Sequence, residues 1–497
     1  MRFRALVVDS TLGSNPESES TLPFWVGDQD WRTTVIKVLE SSSGFMATNF
    51  THPGEQDWMV QAGILSPGHP SFAPDYLTQI GQALFQALLS PNESLGQAFQ
   101  SALRFAERDG VKLHLRLTFA AESAQRSRLA DYPWELIHDR QRFLLHRRVQ
   151  LSRYIAYDAV PPQQPLGDRL YVLLVSPRAN DIGQLSDAEP EAIRAGIVKV
   201  EAVSLEQLPT PTWRGLSAYL TETANPPQVI HFDGHGIFGK GCKACEHLHA
   251  STKVKMCQNC GAPLPDAQGF LAFEDDQGQA DFVSARSLAA LVADKGIALA
   301  VLSACQSGMA VTGESVFNGT AQQLIDAQVP AVVAMQYSVR VKEARDFAEQ
   351  FYRLLGQGES TLVALSEGRK WMGVEGNQWY RPVMYLRWRE NETAQLFMKT
   401  DSQQPTSEAI PAVSQVPEWS QLMTQGQIES PLTTSPEPVS STRQGYYQRQ
   451  ITQLEEQLAA VESDLETAAT ERDHLRLEKD AERLLKKIEQ LNAKLHG

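Results

Sequence analysis

The sequence contains no uninterrupted apolar run of about 18 residues, so no membrane-spanning helix is expected. Its first twenty residues, MRFRALVVDSTLGSNPESES, interrupt a short apolar stretch at Asp9 and lack the core of a secretory leader. Positive charge is in deficit, with 45 Lys and Arg against 59 Asp and Glu, a net charge of −14. That excludes an extended basic face for nucleic acid, though not a local basic patch. Cysteine is scarce, at five in 497 residues, and the number is odd. Four fall into two C-x-x-C pairs and one stands alone, a poor basis for a secreted disulfide framework. The pattern suits a reducing cytoplasm and one metal site. Residues 446–496 hold neither Pro nor Gly, which favours long helix there.

What is present suits a large globular protein. The hydrophobic fraction is 42%, and the length allows two or three domains. Residues 1–165 read as an N-terminal α/β region. LTQIGQALFQALL (77–89) has helical spacing, with Ile80, Leu84 and Leu88 on one face. VKLHLRLTF (111–119) alternates as a half-buried strand does, and DYPWELIHD and RFLLHRRVQLSRYI read as a further strand pair. Residues 166–400 change character. LYVLLV, VKVEAV, QVIHF, IALAVLSA and PAVVAMQ are short apolar runs, with helices expected near 187–196, 212–223 and 342–356. Strands alternating with helices predict an α/β fold with a doubly wound, mostly parallel sheet, whose sites form at the carboxyl ends of the strands. Residues 401–441, rich in Ser, Pro, Thr and Gln, read as a flexible linker. In 442–497, two apolar stripes (Tyr447 to Ala468, Leu477 to Leu495) do not join in register. A kinked coiled coil or an antiparallel helical hairpin follows, with the hairpin slightly favoured because it buries both stripes in one chain.

The stretch HFDGHGIFGKGCKACEHLHASTKVKMCQNCGAPL (231–264) carries four of the five cysteines. Cys242-x-x-Cys245 and Cys257-x-x-Cys260 are two knuckles eleven residues apart. Each puts two thiolates on one side of a tight turn, and together they complete a tetrahedron for Zn²⁺. Gly261 permits the second turn. His247 and His249 are alternative ligands. A site closed by four thiolates has no open coordination position, so the zinc expected in the ribbon 241–264 is structural.

VIHFDGHG ends one predicted strand and VLSACQSG ends the next. If the strands are parallel neighbours, His235 and Cys305 reach the same sheet edge. Imidazole is the usual base for a thiol nucleophile. Gly234, Gly236 and Gly308 permit close backbone approach, and the N–H groups of Gly236 and Cys305 could face an oxyanion. A lone cysteine after an apolar strand is also a common core residue. His231, inside the strand, reads as a packed or locally bonded histidine.

HFDGHG followed by SACQSG resembles the CHAT domain, a caspase-like group of clan CD cysteine proteases related to separase. The resemblance extends over roughly residues 75–395. RLADYPWELIHDRQRFLLHRRVQLSRYI is similar to the segment preceding many CHAT protease domains, with Pro133, Trp134, Glu135 and Leu136 at its centre. PAVVAMQYSV and FAEQFYRLLGQGESTLVALSEGRKWM are similar to the strand and helices that close the domain. The resemblance implies peptide-bond hydrolysis, with Cys305 as nucleophile, His235 as general base or as acid to the leaving amine, and Gly236 and Cys305 N–H groups at the oxyanion. Relatives that cut after Lys or Arg often carry an acid two residues before the nucleophile, where this chain has Ser303. Acids are also common where Arg340 and Lys342 stand. Ser303, Asp233 and Arg340 are therefore the candidate substrate-binding residues, and a neutral or acidic P1 residue is expected.

The ribbon begins six residues after Gly236, in a loop that borders the cleft in relatives. Lys240, Lys243, Lys253 and Lys255 make it basic, as an exosite, a lid, a docking knob or a solvated face. The tail resembles small helical effector-associated modules of bacterial signalling and defence. The leading expectation is a cytoplasmic cysteine endopeptidase with a protein substrate, switched on by an activating or tethering partner through its C-terminal helices. The alternative is a catalytically silent scaffold of the same fold. Nucleic-acid sensing through the ribbon ranks last.

Overall fold

The computed structural model describes residues 2–6, 17–21, 23–26, 29–40, 54–68, 71–120, 129–156, 169–183, 185–197, 202–251, 253–305, 316–337, 339–373, 376–388 and 391–397. All lie in one compact unit, Met1–Gln404. The expected linker and C-terminal helices fall outside the described residues.

Two short antiparallel pairs come first: β1 (Arg2–Leu6) with β2 (Glu17–Thr21), and β3 (Trp25–Val26) with β4 (Gln29–Asp30). Helices Tyr76–Leu89 and Ser94–Arg108 follow, the first within a residue of its predicted span. The strands β5 (Leu113–Ala120), β6 (Val149–Ala156), β7 (Leu170–Val175), β8 (Val203–Gln207), β9 (Val229–Gly241), β10 (Leu248–His249), β11 (Gln268–Glu274), β12 (Ala280–Ser284), β13 (Leu299–Cys305), β14 (Ala331–Met335) and β15 (Pro382–Leu386) form one eleven-stranded sheet. Its main path runs β12-β11-β9-β13-β14-β15-β6-β5, with β7 beside the first half of β9 and β8 beyond β7. The pairs β7–β8, β7–β9, β9–β13, β13–β14, β15–β6 and β5–β6 are parallel.

The central strands are apolar at nearly every position because both faces are covered. Val172, Leu174, Val229 and Val301 point to one core, which includes Ile193, Phe351 and Leu355 from helices Ala188–Ile197 and Val341–Gly356. Leu173, Val175, Ile230 and Leu302 point to the other, with Leu216, Leu288 and Leu324 from helices Trp213–Glu222, Ala285–Val292 and Val316–Asp326. This is the doubly wound α/β arrangement expected.

Most of VKVEAV lies outside the described residues, and a strand is described from Val203. One local expectation is corrected. DYPWELIHD is not a strand: Trp134–Leu136 is a single 3₁₀ turn, and only the bridge His138↔Phe143 pairs. The reason is Glu135. Its fully buried carboxylate takes a charge-assisted hydrogen bond from Arg153 on β6 and lies 3.6 Å from Arg369. Arg153 also donates to the Ala130 carbonyl (2.7 Å) and to Gln336 Oε1 (2.9 Å). An extended strand would carry this carboxylate away from two buried guanidinium groups, and stranding a buried charge is costly. Gly81 completes the seam, because a Cβ there would lie 2.0 Å from the Leu136 carbonyl oxygen.

Candidate active site and metal centre

The strand order β8-β7-β9-β13 reverses direction between β7 and β9. Chain leaving β7 turns to the helix Ala188–Ile197 on one face, and chain leaving β9 reaches Ala285–Val292 on the other. A crevice at the carboxyl ends of the strands is expected at such a reversal.

His235 and Cys305 meet at this edge. The parallel register of β9 and β13 pairs His231 with Val301, Asp233 with Ser303 and His235 with Cys305, which is the last rung of the ladder. Strand alternation puts positions 231, 233 and 235 of β9 and 303 and 305 of β13 on the same face of the sheet. His235 is half-buried, and its Nε2 donates to the carbonyl oxygen of Gly183 in the loop after β7. With Nε2 committed, Nδ1 is the nitrogen left to exchange a proton. Gly234 keeps the approach narrow, since a Cβ there would meet the Phe232 ring at 2.5 Å and Pro177 at 3.4 Å. Gly236 lies opposite Leu271 of β11, where β9 exchanges β7 for an antiparallel partner.

Of the candidate substrate-binding residues, Ser303 and Asp233 face each other in the β9–β13 register, and Arg340 lies on a different element. Ser303 is buried, and its hydroxyl donates to Glu189 Oε2 at 2.8 Å. An acid therefore reaches this position after all, from a helix rather than from β13. Asp233 is 7% exposed and receives Arg178 Nη2 at 2.5 Å, while Arg178 Nη1 donates to its backbone carbonyl at 3.1 Å. Burial first, and then the nearby Glu189 charge, push the Asp233 carboxyl up to about 6 against the pull of Arg178. Arg340 is exposed and precedes helix Val341–Gly356, with its N–H donating to Gln378 Oε1 at 3.4 Å. His231 is buried, as expected of a non-catalytic histidine, but its partners are distant in sequence: Tyr352 OH at 2.9 Å from Nδ1, and Glu189 Oε1 at 3.3 Å from Nε2. Sequence reasoning missed Arg178, Gly183 and Glu189. The signal for the first two was their place in the loop after the first buried parallel strand.

The second half of β9 runs on from His235 into the cysteine knuckles. The four sulfurs lie within 4.8 Å of one another, with Cys242 to Cys260 at 3.5 Å and Cys245 to Cys257 at 3.6 Å. Tetrahedral thiolates around zinc stand about 3.8 Å apart, given Zn–S bonds near 2.3 Å. The two turns repeat one backbone pattern. Cys242 N–H donates to His247 O and Glu246 N–H to Cys242 O; Cys257 N–H donates to Ala262 O and Gly261 N–H to Cys257 O. Glu246 and Gly261 fill the same left-handed position, at φ 59° and 74°. Among the described residues of 241–264, only Cys242, His249 and Cys257 are buried, so the ribbon lacks a core of its own. His249 Nε2 sits 3.3 Å from Cys257 Sγ, beside the sulfur cluster and not as a replacement for any of the four. β10 returns along β9, pairing Leu248 with Gly241 and His249 with Lys240.

A mostly parallel α/β sheet thus sets a histidine and a cysteine opposite each other on adjacent parallel strands. The CHAT domain matches residues 78–405, about two thirds of the sequence, and the chain belongs to that family. Residues 437–496 match effector-associated domain 9. No curated protein matches the sequence. Among solved structures it is similar to separase in two separase–securin complexes of Saccharomyces cerevisiae. These are 15% and 13% identical, with TM-scores of 0.31 and 0.29, and each match covers 72% of this chain. The chain spans 22% of the length of those separase chains. No helix among the described residues is long and apolar enough to cross a membrane.

Proposed function

We propose that the protein is a regulated cysteine endopeptidase. Cys305 attacks the scissile carbonyl, and His235 takes the thiol proton and returns it to the leaving amine. The observation that carries this reading is the terminal rung of the β9–β13 ladder, which sets His235 directly opposite Cys305. The hold of Gly183 on Nε2 fixes the imidazole so that one nitrogen serves the reaction. Backbone N–H groups at Gly236 and Cys305 are the candidate oxyanion donors. Zn²⁺ in the four-thiolate centre would be structural: its coordination is filled, and it supplies cross-linking to a segment without a core. The tail that matches effector-associated domain 9 is the candidate contact for an activating partner.

The test is the alkylation rate of Cys305 by iodoacetamide in the metal-loaded full chain, read by mass spectrometry of its peptide. Fast labelling near neutral pH that falls at least tenfold in His235→Ala is the expected result. Slow labelling indifferent to His235 would mean a silent scaffold or a zymogen whose site is unassembled, and repeating it with candidate partners separates the two.

A further inference from the structure

Two residues upstream of Cys305 and four upstream of His235, a buried polar chain crosses the seam between their strands. Glu189, in the first turn of helix Ala188–Ile197, divides its carboxylate between them. Oε2 accepts from Ser303 on β13 at 2.8 Å, and Oε1 faces His231 Nε2 on β9 at 3.3 Å. The second contact is at ion-pair distance without full hydrogen-bond alignment. Tyr352 of helix Val341–Gly356 closes the chain at His231 Nδ1, 2.9 Å away. Burial holds the Tyr352 phenol well above its usual range, so its O–H is available to donate. Nδ1 then accepts, which leaves the ring proton on Nε2, 3.3 Å from Glu189 Oε1. Glu189, His231 and Ser303 are 7%, 1% and 4% exposed.

The position of this tie matters more than its strength. Among the described residues, His235 and Cys305 form the last rung of the β9–β13 ladder, and β9 itself runs on to Gly241. One carboxylate, on a helix of that face of the sheet, contacts both strands below this rung, β13 at Ser303 and β9 at His231. We propose that Glu189 is a positioning residue for His235 and Cys305, setting the relative height of the two strands at their rung through Ser303 and His231. The proposal rests on the peptidase reading above. Displacements of about 1 Å between reacting groups cost on the order of a hundredfold in rate, so a tie here has leverage that a core hydrogen bond elsewhere lacks.

The experiment is a double-mutant cycle on iodoacetamide labelling of Cys305 in the metal-loaded full chain, with a thermal melt of each variant. Glu189→Ala should slow labelling about tenfold or more in an otherwise wild-type chain. In His235→Ala it should slow labelling less than twofold, because the effect passes through the pair. Glu189→Gln keeps an oxygen for Ser303 and an amide that can meet the other His231 tautomer, so it should recover labelling to within about threefold of wild type. Three outcomes would overturn the proposal: wild-type labelling in Glu189→Ala, an equal effect in both backgrounds, or Glu189→Gln as slow as Glu189→Ala while still folded. If wild-type labelling is slow and independent of His235 both alone and with candidate partners, the peptidase reading falls and this proposal falls with it. If wild-type labelling is fast and His235-dependent, only the Glu189 assignment is at stake.

Discussion

Asp233 shows how one buried carboxyl couples the site to pH. The folded protein holds its proton more tightly than the unfolded chain, with a carboxyl near 6 against an ordinary value of 3.8. Its contribution to stability is fully present below about pH 4 and lost as pH rises through about 6. A shift of this size corresponds to roughly 3 kcal/mol. Asp233→Asn should therefore show a flatter melting temperature than wild type between pH 4 and 7, as read by calorimetry of both proteins in matched buffers. Equal slopes would show that Arg178 cancels the burial. At this scale the sequence was informative wherever chemistry and strand ends coincide. His235 and Cys305 stand out because each follows an apolar run and has glycine within three residues. Glu189 does not, because an acid in the first turn of an exposed-looking helix is the commonest use of glutamate. Only the packing of that helix turns it inward.

Among the elements, the equivalence of the two knuckles makes a sharp prediction. Glu246 occupies the left-handed position that Gly261 fills in the other turn, and a side chain there carries a conformational cost. Glu246→Gly should raise the thermal stability of the metal-loaded ribbon by about 0.5–1 kcal/mol; a fall would mean the Glu246 side chain contributes more than the turn costs. A glycine elsewhere has the opposite sign. A Cβ at Gly196 would come within 2.6 Å of the Glu349 carbonyl oxygen, where helix Ala188–Ile197 crosses Val341–Gly356. Gly196→Ala should destabilise by about 1–3 kcal/mol in urea unfolding. The helices and the central strands were legible from periodicity and apolar runs, and β13 and β14 were found almost to the residue. DYPWELIHD was not legible, because its backbone is decided by a buried carboxylate meeting two arginines from distant parts of the chain.

For the molecule as a whole, the ribbon is the most separable part. With three buried side chains among its described residues, 241–264 should lose its fold when metal is removed, while the doubly wound core remains. Chelation followed by hydrogen exchange should show protection lost across 241–264 and retained in β13 and β14. Protection retained in the ribbon would mean that its packing on β9 suffices without metal. Native mass spectrometry should find one zinc ion per chain, and Cys257→Ser should abolish it. The likeness of HFDGHG and SACQSG to CHAT proteins made the family readable before the fold was known. The meeting of β9 and β13 at one edge was expected from their being consecutive predicted parallel strands. What remained hidden was the reversal between β7 and β9, since an apolar run does not announce which neighbour it will take.

β9 has a further implication. It runs unbroken for 13 residues from Val229 to Gly241, so the histidine and the knuckles share one pleat. Successive residues of a strand face opposite ways. Lengthening the stretch between Gly236 and Cys242 by one residue would turn the ribbon to the other side of the sheet, and lengthening it by two would restore it. The side on which this protein displays its metal module is a matter of parity, and deletions or insertions there should be tolerated in pairs.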